Sequence, residues 1–241
     1  LGRKEAELQA KEIVRNQKNL EELLNLKKKS FLFVTAKDAV AFGAIQALFE
    51  GLVSGGLEYY FTSKVDAQKL AEKDAKDKGL LCVDIGGGLN PYPGYTTVDL
   101  RSSADYVADL NDGIPLPDNS VGVLNASHII EHLYDKTKIM SEIHRVLAPG
   151  GWAFIEVPST DGRGAFQDPT HVSYWNENSF LYYTDAYLAN FIDNKTIRFM
   201  EYRRETYFPN EWMRNMNSCV TTVWLVAVKE GMPRVPGILR I

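Results

Sequence analysis

The chain has 241 residues, of which 45% are hydrophobic, 24% charged and 11% aromatic. That composition sets aside disordered, collagen-like and low-complexity classes and leaves room for one large domain or a medium one with an appendage. Two cysteines, Cys82 and Cys219, exclude a disulfide framework and a multi-cysteine zinc site, and the net charge of −4 leaves no whole-chain footprint for nucleic acid.

Residues 1–79 hold 14 basic against 12 acidic side chains, and residues 80–241 hold 13 against 19. The first residue is Leu1 rather than Met, which reads as a processed product or an excised segment. Residues 3–29 carry a helical pattern in which Ala6, Ala10, Ile13, Gln17, Leu20 and Leu24 share one stripe. Such a stripe could pair with a second copy as a coiled coil, giving a homo-oligomer, or lie as an amphipathic helix on its own domain. The second reading is favoured, because alanines make a weak seam.

Residues 31–60 read as one or two apolar helices broken near Ser54-Gly55-Gly56. Lys37, Asp38, Glu50 and Glu58 interrupt them, so the uncharged run falls far short of the roughly 20 residues a membrane span needs. The expectation is a soluble, cytoplasmic protein without membrane or nucleic-acid partners. Residues 65–78 form a charged helix, with Gly79 placed to cap it.

After Gly79 short apolar runs alternate with helical segments. Strands are expected over residues 80–85, 96–99, 106–109, 121–125 and 152–157, with a helix over 135–147 stopped by Pro149-Gly150-Gly151. A helix over 178–192 then precedes two longer strands, 196–207 and 220–228, able to pair antiparallel. This order predicts an α/β fold: a Rossmann-like open, mostly parallel sheet with an antiparallel terminal strand, preceded by an all-helical N-terminal extension. The boundary is expected at 79/80, with 1–79 the extension and 80–241 the sheet domain. Only about ten residues separate the first two strands, too few for a crossover helix. Residues 31–78 are therefore expected to cover the sheet face left bare.

Three carboxylates carry the first chemical signal. Asp84 precedes Gly86-Gly87-Gly88 at the end of the first strand, where glycines admit a ligand against the backbone. Asp99 ends the second strand, where a carboxylate can accept from both hydroxyls of a ribose. Asp109 ends the third beside Leu110, suited to an exocyclic amine and a purine face. Pro91 stands where a dinucleotide fingerprint needs its third glycine, which disfavours a pyrophosphate. Together these describe a site for an adenosine-bearing ligand without phosphates.

The motifs Val83-Asp84-Ile85-Gly86-Gly87-Gly88, Thr96-Thr97-Val98-Asp99-Leu100, Ala108-Asp109-Leu110, Ile114-Pro115-Leu116-Pro117-Asp118, Ser127-His128-Ile129-Ile130-Glu131-His132-Leu133 and Leu147-Ala148-Pro149-Gly150-Gly151 follow one another over residues 80–160. In order and spacing this third of the chain resembles the class I S-adenosylmethionine-dependent methyltransferases, especially their short-loop group. The resemblance implies S-adenosylmethionine as cofactor, with Asp84, Gly86, Gly87 and Gly88 at its methionyl part, Asp99 and Leu100 at the ribose, and Asp109 and Leu110 at the adenine. Asn125 and Ala126 would lie beside the sulfonium. Asn90 stands where the family loop often has a further glycine, which touches the loop conformation more than the cofactor.

Two polar clusters remain. His128-Ile129-Ile130-Glu131-His132 fits an inverted zinc-hydrolase pattern, with both imidazoles on one helical face, but it falls within the methyltransferase pattern and no metal is expected. Asp168-Pro169-Thr170-His171 lies in a loop after the fifth strand. In the resembling family a comparable segment borders the acceptor pocket, and His171 suits the role of base, with Asp168 beside it. Of 27 aromatic residues, 14 fall between Phe166 and Trp224 and are mostly core, a few being free to line an acceptor pocket. The expected activity is methyl transfer to an oxygen or nitrogen of a small-molecule or sugar-like acceptor. The alternative is a catalytically inactive methyltransferase-like subunit that docks through 1–79.

Overall fold

A computed structural model of the chain describes residues 64–192 and 197–230, together with Met232. The stripe within residues 6–24 and the apolar helices of 31–60 lie outside the described residues. Helix α1 (Lys64–Asp77) leads into strand β1 (Leu81–Ile85). Its end is a left-handed glycine cap: Gly79 has φ +67°, its N–H donates to Lys76 O (3.1 Å), and Leu80 N–H donates to Ala75 O (2.8 Å). This pair of bonds satisfies carbonyls that a helix terminus otherwise orphans.

The remaining strands are β2 (Thr96–Asp99), β3 (Tyr106–Val107), β4 (Val121–Ser127), β5 (Leu147–Pro158), β6 (Phe199–Tyr207) and β7 (Val220–Ala227). They form one seven-stranded sheet in the order β3-β2-β1-β4-β5-β7-β6. The first five pair in parallel and β7 lies antiparallel to β5 and β6, the expected architecture. β1 and β2 pair in parallel across residues 86–95, which contain turns and no helix.

The alternation of side chains divides the core into two layers. Val123, Phe154 and Trp224 face Ala67, Ala71 and Ala75 of α1, which recur every fourth residue and therefore share one helical face. The helix lies so close that a β-carbon on Gly122 would stand 2.4 Å from that of Ala75. On the opposite face Val83, Leu124, Ile155 and Leu225 pack against Ile139, Met140, Ile143 and Val146 of helix α2 (Lys136–Val146). No helix among the described residues is long and apolar enough to cross a membrane.

Four boundaries differ from expectation, each for a local reason. α2 ends at Val146, and β5 starts at Leu147, absorbing Pro149-Gly150-Gly151 where its register on β4 shifts and Gly150 takes φ +78°. β4 runs on to Ser127, so Asn125 lies within the strand. β3 is a two-residue exposed edge, which leaves Asp109 two residues beyond it. The helix expected over 178–192 is broken into Glu177–Phe180, Leu181–Thr184 and Leu188–Phe191. Asp185 breaks it, because its Oδ1 accepts from the N–H groups of Tyr187 and Leu188 and so starts a new turn.

α2 is also tied to the loop below the sheet edge. Arg145 donates through Nε and Nη2 to Glu142, through Nη1 to Leu116 O and Asp118, and through Nη2 to Ile114 O. Ile114 N–H donates to Glu142 Oε2 (2.8 Å). The Arg145 guanidinium, with that N–H, holds the Glu142 carboxyl below its ordinary value of 4.5. A depressed carboxylate stabilises fully above its unfolded value, and the contribution fades as pH falls through the folded one. Thermal melts should therefore lose stability more steeply below about pH 4.5 in the wild type than in Glu142→Gln; parallel curves would remove Glu142 from the acid response.

Candidate active site

The sheet reverses strand order between β1 and β4, where open α/β sheets bind ligands at the carboxyl edge. At that edge the chain leaves β1 through Gly86 (φ +69°), whose N–H donates to Val98 O. Asp84 is 2% exposed and faces inward. Its Oδ1 accepts from Asn125 Nδ2 (2.7 Å) and its Oδ2 from Tyr92 N–H (2.8 Å), so it latches the glycine loop to β4. A β-carbon on Gly87 would stand 2.4 Å from Asp84 Oδ2.

Asp99 is the second anchor. Its Oδ2 accepts from Gly88 N–H (3.0 Å) and its Oδ1 from Arg101 N–H (2.9 Å). Asp109 Oδ1 accepts from Asn111 N–H and from its side-chain amide. Between these segments a pocket opens, bounded by Gly86, by Asp99 and Leu100, by residues 108–111, and by Ile129, His132 and Leu133.

Of the residues singled out in the sequence, Gly86, Asp99, Leu100, Asp109 and Leu110 therefore border one pocket. Asp84, Gly87, Gly88, Asn125 and Ala126 lie behind or beside it; Asn125 is 5% exposed and Ala126 is fully buried. Ile129, Asn111 and Leu133 are pocket residues that sequence reasoning left unassigned. Ile129 and Leu133 carried a signal, as the apolar positions inside the His128–Leu133 motif.

That motif does not form the helical face a zinc hydrolase would use. His128 has left-handed backbone (φ +53°) and precedes a single 3-10 turn, Ile130–His132, so His128 and His132 are not stacked one helical turn apart. His128 instead sits between two acids, with Nδ1 at 3.5 Å from Glu131 Oε1 and Nε2 at 3.5 Å from Glu156 Oε1. Glu131 first, and Glu156 after it, push its pKa up to about 9.

The Asp168–His171 loop folds back onto the same turn. Glu131 O accepts from the N–H groups of Val172 and Ser173, and Ser173 Oγ donates to Ile130 O. This brings His171 edge-on to His132, with ring centroids 4.9 Å apart. Asp168 accepts from the hydroxyl and N–H of Thr170, which hold its carboxyl below the usual range. The two polar clusters that the sequence kept apart thus pack together, and they meet the pocket at His132.

Residues 67–155 match the family model described as a methyltransferase domain. A curated relative, a probable S-adenosylmethionine-dependent methyltransferase of Mycolicibacterium smegmatis, is 38% identical over 81 residues. That alignment takes in 32% of this chain and 29% of the relative, so the chain spans under a third of its length. Similar solved structures include an S-adenosylmethionine-dependent methyltransferase of Mesorhizobium loti, 15% identical, TM-score 0.44, covering 65% of this chain and 97% of that one. Another is phosphoethanolamine N-methyltransferase 2 of Haemonchus contortus in complex with S-adenosyl-L-methionine, 14% identical, TM-score 0.43, covering 63% and 49%. Over residues 67–155 the chain is thus similar to S-adenosylmethionine-dependent methyltransferases.

Proposed function

We infer that the protein transfers a methyl group from S-adenosylmethionine to an oxygen or nitrogen of a small-molecule or sugar-like acceptor. The observation that carries this reading is the pocket between Gly86, Asp99 and Asp109 at the strand-order reversal. Each Asp99 oxygen accepts one N–H and a carboxylate has about four acceptor sites, so both ribose hydroxyls can still be received. Asp109 engages Asn111 through Oδ1 and leaves Oδ2 for an exocyclic amine, beside the buried Leu110.

The sulfonium is an activated donor, so the protein's task is to bring the acceptor in line with the methyl carbon. The new O–C or N–C bond forms as the S–C bond breaks, S-adenosylhomocysteine leaves, and the acceptor's proton goes to a nearby base. The reading puts the acceptor beside Asp168 and His171, which stand 3.9 Å apart (Oδ2 to Nε2), with His171 as the base that the sequence suggests. Calorimetry with S-adenosylmethionine tests the reading. The wild type should bind, and Asp99→Ala should weaken binding at least tenfold, about 1.4 kcal/mol. A wild type that ignores the cofactor, or an Asp99→Ala variant that binds undiminished, would overturn it.

A further inference from the structure

Glu131 presents an unusual combination. Its side chain is 2% exposed, and neither carboxylate oxygen accepts a hydrogen bond; the nearest cation, His128 Nδ1, stands 3.5 Å from Oε1. A buried carboxylate without hydrogen bonds is costly unless something compensates it. One ligating atom from each of Glu131, His132 and His171 lies within 4.8 Å of the other two.

The hydrogen bonds decide which atoms those are. His171 Nδ1 lies 2.9 Å from Ala165 O, a carbonyl that can only accept, so Nδ1 carries the proton. His132 Nδ1 lies 3.2 Å from Thr170 O and 3.1 Å from Thr170 Oγ1. That hydroxyl gives its own hydrogen to Asp168 Oδ1 (2.6 Å), so towards His132 it too accepts, and Nδ1 again carries the proton. That leaves Nε2 as the ring nitrogen each imidazole can offer a metal, the one of His171 having Asp168 Oδ2 at 3.9 Å. Tying Nδ1–H to an oxygen in this way is how proteins orient metal-ligating histidines.

We propose that Glu131, His132 and His171 form a binding site for one divalent cation of the Zn²⁺ class. Two neutral imidazoles and one carboxylate match the preference of a borderline ion, and such a three-ligand set leaves a coordination position open. Hard Mg²⁺, which favours oxygen ligands, fits it poorly. Ligand distances near 2.0–2.2 Å ask the three side chains to close by roughly 1 Å, within the reach of rotamer adjustment. Since His132 also borders the pocket, the open position is suited to an oxygen donor of the acceptor, a hydroxyl or carboxylate. In the metal-loaded protein His171 then holds the ion and is no longer the base; a coordinated hydroxyl loses its proton to solvent as its oxygen takes the methyl carbon from sulfur. The cation site stands on its own geometry, and only this acceptor role rests on the methyl-transfer reading.

The test uses tag-free full-length protein stripped with chelator and titrated with Zn²⁺, Mn²⁺ or Mg²⁺, with metal content measured after desalting. One Zn²⁺ per chain is expected, with little Mg²⁺ retained. His132→Ala, His171→Ala and Glu131→Gln should each weaken Zn²⁺ binding tenfold or more, while Co²⁺ substitution should give d–d absorption that the variants lose. A stripped protein that takes up only trace Zn²⁺, or a folded His132→Ala/His171→Ala double variant that still holds one equivalent, would overturn the site. S-adenosylhomocysteine binding measured alongside keeps the two readings apart. Cofactor bound without metal refutes the ion alone, and metal bound without cofactor refutes methyl transfer alone.

Discussion

Replacing Asp84 by alanine should cost the protein about 3 kcal/mol and its cofactor affinity in one step. The side chain is almost wholly buried and accepts two hydrogen bonds, from Asn125 Nδ2 and from Tyr92 N–H. Alanine leaves both donors without a partner, and an orphaned buried donor costs roughly 1–3 kcal/mol. Asn125 is exposed to the full effect, because its Oδ1 already has no hydrogen-bond partner and Asp84 is its tie to β1. For a domain of this size the loss corresponds to a fall in melting temperature of roughly 6–12 °C.

Asp84→Asn sharpens the test. An amide can accept from Tyr92 N–H through its oxygen and donate through its NH2 to Asn125 Oδ1, which has no other partner, once the Asn125 amide flips. Stability should therefore fall less for Asn than for Ala, whereas in Asp84→Ala the Gly86–Tyr92 loop should open and weaken S-adenosylmethionine binding although Asp84 does not border the pocket. Chemical denaturation and calorimetry on the same samples read both effects. Unchanged stability in Asp84→Ala would show that the loop is held by something other than this carboxylate.

The parts of this architecture legible in the sequence are those governed by local pattern. Val83, Val123 and Ile155 sit in short apolar runs and Val98 in a β-branched one, each bounded by turn residues, and their order with the intervening segments gives the sheet. Gly79 marks the end of α1 because a left-handed cap has a residue-level signature. What pattern does not carry is which side chains a strand end aims outward. Asp84 and Asp99 look equivalent in sequence, yet one is consumed by Asn125 and Tyr92 while the other borders the pocket. Asp185 ended a helix that periodicity alone extends to residue 192, since its carboxylate competes for backbone N–H groups. The meeting of His132 with His171 depends on Glu131 O receiving Val172 and Ser173, a contact across some forty residues that no spacing rule anticipates.

Gly86→Ala should be the most damaging of the glycine substitutions at the cofactor loop, because strain and collision act together there. A φ of +69° costs an L-residue roughly 1–2 kcal/mol. The added β-carbon would also stand 2.2 Å from Ile129 Cγ1, 2.5 Å from its Cβ and 2.6 Å from its Cδ1. A new rotamer of Ile129 can withdraw Cγ1 and Cδ1, but the Cβ moves only with the backbone. Relief therefore shifts the turn at Ile130–His132, and with it the pocket wall formed by Ile129 and His132. Overpacking of this kind adds about 1–3 kcal/mol, so a total near 3 kcal/mol is expected, with cofactor affinity reduced at least tenfold. Gly88→Ala is the matched comparison: its φ is +59°, but the only atom near its β-carbon is Gly86 O at 4.0 Å. It should lose only the backbone term in stability, about 1 kcal/mol. Adding Ile129→Ala to Gly86→Ala should recover part of the loss, since it removes two of the three colliding atoms and leaves the third. Equal stability for Gly86→Ala and Gly88→Ala would mean that backbone strain alone governs this loop and that Ile129 does not press on it.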